Sequence, residues 1–207
     1  MSFTIRDGAG SGKSAKVDSN QKLQTAAVTE EQKDHAAESG DKYNINTGDI
    51  TLTDATATSV LYIKNNEDRD LVITALIYNL GNSTSGTGDG LVEVHRNPTA
   101  GTIITDAVNV TTGTTSLANQ NFGSSKALTI DAFKGDTADN NFTTSDGVSI
   151  SSRLATSTGR IVVSLGAIEL PKGSSIGITY TPPASNSSQI CQFAAACYLR
   201  TTTVQGD

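Results

Sequence analysis

The sequence predicts an all-β fold, an antiparallel jelly-roll-like sandwich with an extended, mostly non-core N-terminal arm. Of 207 residues, 36% are hydrophobic and only 17% charged, with 19 Gly and no Trp. Much of the remainder is Thr, Ser and Asn; Thr and Val favour pleated, half-buried backbone, while Gly, Asn and Asp favour turns. From Tyr43 onward, short apolar runs alternate with turn sequences at near-regular spacing, and no helical period separates them.

Residues 1–40 carry much of the charge and little contiguous apolar sequence, so they read as the arm, with the sandwich spanning 41–207. Within the arm, GAGSGKS at residues 8–14 invites a phosphate-loop reading, because Gly12, Lys13 and Ser14 match the end of that pattern. The position that should hold the first Gly is Asp7, whose charge repels a phosphate. A phosphate loop also joins a buried strand to a helix. Phe3, Thr4 and Ile5 are too short and polar a run for that strand, and residues 15–28 read as extended, with Val17, Leu23 and Val28 far from helical spacing. Gly8, Gly10 and Gly12 therefore read as a bending connector.

Residues 29–40, TEEQKDHAAESG, carry a helix signal, with Thr29 and Gln32 as a capping box and Gly40 as the stop. Lacking an apolar stripe, the segment supports one or two helical turns at most. About ten strand candidates follow, at 49–53, 59–65, 70–80, 91–96, 102–110, 126–133, 147–154, 160–165, 175–181 and 189–200. Turn chemistry separates them at KNNEDRD, GNSTSGTGDG, RNPTAG, KGDTADNN, LPKGSS and TPPASN. The last candidate, QICQFAAACYLR, also fits a helix; Ile190, Phe193 and the β-like flanks favour a terminal core strand. No repeat of fixed period appears, which argues against a propeller or solenoid.

The formal net charge of −6 and the scattered basic residues argue against a nucleic-acid partner. No segment resembles a signal peptide and no apolar run approaches the ~20 residues of a spanning helix, so the expectation is a soluble protein made in a cytosol, with no membrane partner. On one strand, Cys191 and Cys197 would lie about 20 Å apart at ~3.3 Å per residue, too far to bridge, and read as buried reduced thiols.

Catalysis needs convergent titratable groups, and few are offered. His35 lies in the arm and His95 beside Glu93 and Arg96; both read as surface or turn histidines. Asp89, Asp136, Asp139, Asn141 and Asp146 lack calcium-loop spacing and read as Asx turns. The Asn-x-Ser/Thr sequons at Asn82, Asn109, Asn141 and Asn186 are what such a composition produces by chance. A sugar site would draw on exposed aromatics, which are scarce. No catalytic, cofactor-binding or metal-ligating residue is assigned, no cofactor is expected, and the chain reads as a non-enzyme.

Four stretches, IRDGAGSGKSAKVDSNQKLQTAAVT, ITLTDATATSVLYIKNNEDRDLVITAL, HRNPTAGTII and IELPKGSSIGITYTPPAS, taken together, resemble virion proteins of tailed bacteriophages, specifically head decoration (cement) proteins. The resemblance is one of pattern and order over most of the chain, without a catalytic motif. It implies a jelly-roll-like sandwich that assembles as a homotrimer and binds the outside of the capsid, with the major capsid protein as partner. It places the mature protein on the virion, after synthesis in the bacterial host cytoplasm. An acidic surface would not be drawn to packaged DNA, and a polar arm can order on docking at an entropic cost. On this reading Phe3, Ile5, Val17, Leu23 and Val28 are the expected capsid or inter-subunit contacts. A receptor-binding or fibre-associated module recognising a host glycan is the alternative, and a nucleotide hydrolase using GAGSGKS the minor one.

Overall fold

The computed structural model describes residues 4–6, 14–17, 23–24, 31–105, 108–109, 117–135, 142, 147–154 and 159–200. The chain divides into two compact units, residues 1–31 and 32–207. In the first, β1 (Thr4–Arg6), β2 (Ser14–Val17) and β3 (Leu23–Gln24) form a three-stranded antiparallel sheet. The described residues of this unit are thus extended backbone paired among themselves. Arg6 lies opposite Ser14, so GAGSGKS connects two antiparallel strands, and Ser14, where a phosphate loop would start its helix, lies in a strand.

The second unit opens with α1 (Gln32–Glu38). Its end is closed as the sequence predicts: Gly40 has φ +74°, Asp41 N–H donates to Ala36 O at 2.7 Å and Gly40 N–H to Ala37 O at 3.2 Å. That pair is a Schellman closure, which requires a left-handed residue and so selects Gly. Thr29 of the expected capping box lies outside the described residues.

Strands then follow as β4 (Lys42–Asn46), β5 (Ile50–Leu52), β6 (Thr58–Asn65), β7 (Leu71–Leu80) and β8 (Gly90–Arg96). After α2 (Thr102–Thr105) come β9 (Val108–Asn109), β10 (Leu117–Asn119) and β11 (Ile130–Lys134). The chain closes with β12 (Val148–Leu154), β13 (Gly159–Leu170), β14 (Ser175–Thr181) and β15 (Gln189–Leu199). Two readings need correction. Residues 102–105 form a helical turn instead of opening a strand, because Ile103 and Ile104 enter an apolar cluster with Tyr62, Phe133 and Phe142. The segments KYNIN and LAN, unassigned from sequence, are strands because β4 pairs with both β15 and β10.

The strands build an antiparallel jelly-roll-like sandwich of two six-stranded sheets. The first has the order β10-β4-β15-β7-β13, with β5 beside β15; the second has the order β12-β8-β14-β6-β11-β9. Every connection from β12 to β15 crosses between sheets, as does each from β6 to β8. Period-2 alternation sends Ile45, Leu76 and Phe193 of the first sheet against Ile63, Val94 and Ile178 of the second. Phe193 joins the layers, its ring 5.7 Å from both Tyr78 and Tyr180. Burying a ring of this size contributes roughly 1.5–3 kcal/mol.

On the second sheet, Phe142, from the connection between β11 and β12, lies against Gly177 and Tyr62. On the first sheet, α1 covers one end only, through Ala36 packed on Val72 and Tyr198.

Candidate functional site

Beyond the row that α1 covers, the described residues of the first sheet's outer face are exposed or half-buried. Register sets Asn46, Ala194, Ile77 and Val162 in one row across β4, β15, β7 and β13. The adjacent row toward α1 holds Asn44, Ala196 and Ala75; the row on the other side holds Gln192, Asn79 and, at the β13 edge, Arg160. Gln192 donates to Asp49 at 2.7 Å at the opposite margin. The interior of this face carries amides and small apolar groups and no carboxylate, in a chain of net charge −6. Among the described residues the strongly exposed large apolar side chains are Phe122 (97%), Val162 (54%) and Ile190 (53%). Val162 and Ile190 lie on this face, since Ile190 shares the alternation of Gln192, Ala194 and Ala196. Phe122 belongs to the loop after β10, tied to the end of α1 where Asn121 donates to Glu38 O at 2.9 Å.

Of the contact residues expected in the arm, Phe3 and Val28 lie outside the described residues. Ile5 pairs with Ala15 and Val17 with Leu23, and Ala15 and Val17 are two apart on β2, so the positions of Ile5, Val17 and Leu23 share one face of that small sheet.

Several titratable groups are tied into the structure. Asp41, after α1, is held below the usual carboxylate range by its hydrogen bonds to Arg69, with Lys126 adding to the effect and burial opposing it. His95 is buried at 5% exposure, not a surface histidine as expected: its Nε2 lies 3.1 Å from Thr179 Oγ1 and its ring 5.3 Å from that of Phe142. Burial lowers its pKa, with Glu93 pulling the other way. The sequence contained no signal for this, because the cover comes from a segment nearly fifty positions away on another connection. Cys191 and Cys197 are both free and buried, and burial pushes each thiol up to about 12. His35 on α1 is exposed, as read.

Asn186, one of the sequons, is buried: its Nδ2 donates to Leu52 O and Asp54 O, and Ser83 Oγ donates to its Oδ1. Asn141 and the acidic positions 136, 139 and 146 lie outside the described residues. Among the described residues no group of three His, Cys, Asp or Glu side chains is placed to hold a metal. No helix among them is long and apolar enough to cross a membrane. A cleft of about 510 Å³ lies where the sheets part, lined by Val94, Ile168, Leu170 and Ile176 with Arg96 and Glu169. Glu169 is ion-paired with Arg200.

No family model matches the chain, and no curated protein matches it. Among solved structures, a chain of the tomato aspermy virus crystal structure is similar at a TM-score of 0.28 and 10% identity, over 89% of this chain and 87% of that one. A similarity of that size carries no conclusion about function.

Proposed function

We propose that this protein is a non-enzymatic structural component of a virus particle, decorating and stabilising a phage capsid shell through contacts with the major capsid protein. The observation that carries this reading is the distribution of chemistry. The thiols and His95 are buried and neutral, Asp41 and Glu169 are held by cations, and the outer face of the first sheet has an interior of amides and apolar groups without a carboxylate, suited to protein contact. The sequence resemblance to head decoration proteins supports the same role, and the small sheet of residues 1–31 would supply capsid contacts.

Quantitative mass spectrometry of purified virions, comparing copies of this chain with copies of the major capsid protein, tests the proposal. A ratio near one, or a simple fraction of it, is expected; a handful of copies would instead favour the fibre-associated reading. Deleting residues 2–28 should leave a folded sandwich that no longer binds shells, and undiminished binding would remove the arm from the contact.

A further inference from the structure

We infer that the outer face of the first sheet joins this chain to a second copy of itself, the two faces stacked about a two-fold axis that crosses the strands. This goes beyond the proposed role in a shell, does not depend on it, and departs from the homotrimer that the resemblance to head decoration proteins implies.

Charge selects the partner. Copies with net charge −6 repel one another over most approaches. Carboxylates are missing from the interior of this face, where Ala194, Ile77 and Val162 form an apolar row flanked by amides, so here two copies can meet without opposing like charges. The charged groups at the margins are of both signs, Asp49 and Glu169 against Lys42 and Arg160.

The position of α1 selects the axis. A helix about 10 Å across lying on one end of a face makes a step as high as the ~10 Å gap between stacked sheets. An axis along the strands would drive the α1 helices of both copies into each other. An axis across the strands, through the Val162 row, turns the second copy end for end and sets its α1 over the opposite end of the first copy's face. Ile190 is exposed there. The apolar side chain left open at that end thus gains a cover, and Val162 meets its counterpart. Four strands at ~4.8 Å spacing and about 20 Å of length give about 400 Å² per copy, or ~800 Å² in all before the helix contacts, which is the range of a weak, concentration-dependent interface.

Sedimentation velocity on the full chain from about 1 to about 300 µM, with the double variant Val162→Asp, Ile190→Asp alongside, tests this. Both side chains are exposed, so the variant should match wild type in circular dichroism and in melting at the lowest concentration. The expected result is a monomer–dimer equilibrium whose dissociation constant rises about tenfold or more in the variant, roughly 1.4 kcal/mol. A chain that stays monomeric, a trimer, or a smaller shift would overturn the inference. A second readout does not depend on the charged variant. Val162→Cys treated with a bismaleimide of ~10 Å reach should yield crosslinked dimer, with buried Cys191 and Cys197 silent. No crosslink at concentrations where mass shows dimer would overturn the stated axis.

Discussion

The Asp41 carboxylate receives both arms of the Arg69 guanidinium, Nη2 on Oδ1 at 3.0 Å and Nη1 on Oδ2 at 3.1 Å. Lys126 Nζ adds a third contact at 3.1 Å. One side chain, 6% exposed, therefore ties the end of α1 to the β6–β7 turn and to the loop after β10. Asp41→Ala leaves two cations that are partly exposed and can rehydrate, so the expected loss is about 2 kcal/mol, below that of a fully buried pair. The folded pKa lies below the ordinary 3.8, so this stabilisation is complete above that value and is lost as pH falls through the folded pKa. Urea unfolding of wild type and Asp41→Asn across pH 2 to 6 should show the acid limb flattened in the variant; matching limbs would show that the clamp contributes nothing.

His95 acts on the near-neutral limb with the same sign by a different route. Burial keeps its folded pKa below the ordinary 6.5, with Glu93 opposing and with Thr179 and the Phe142 ring as its other neighbours. As pH falls through 6.5 the unfolded chain takes up a proton that the folded chain refuses, so stability declines until the folded pKa is reached. His95→Gln removes the titration; melting temperature against pH should be steeper in wild type than in the variant just below 6.5.

Gly177 is required for packing, not for backbone conformation. A Cβ added there would overlap the Phe142 ring, with Cδ2 at 2.9 Å. Gly177→Ala should destabilise by about 1–3 kcal/mol, as overpacking does. In a Phe142→Ala background the same substitution should cost much less, and equal costs in both backgrounds would refute the contact.

The two thiols give a chemical test of the core. With both pKa values pushed up to about 12, Cys191 and Cys197 should not react with a thiol reagent at pH 8 in the native state and should both react in denaturant. Native reactivity at either position would mean that β15 opens locally.

Local chemistry makes a good part of the fold readable. Residues 175–181 form the strand expected, the alternation over 189–199 distinguishes strand from helix, and the Gly40 stop works by the closure its spacing suggests. The pattern in each case belongs to a short window of chain, where propensity and period act. The failures are non-local. TIIT looks like a strand and becomes a helical turn because Ile103 and Ile104 fill a cluster supplied by β6, β11 and Phe142. KYNIN is a strand because β15 and β10 flank it, and His95 is buried because Phe142 covers it.

The candidate surface divides the same way. That Val162 and Ile190 lie on strands is written in their neighbours. That they share one open face, with α1 closing the other end, follows from the β15-β7-β13 order and from Ala36 meeting Val72 and Tyr198. Alternation alone determines that a strand has two faces. Which face turns inward, and which residues become neighbours across it, is decided by pairing between segments distant in sequence, where burial of the whole core outweighs any local preference.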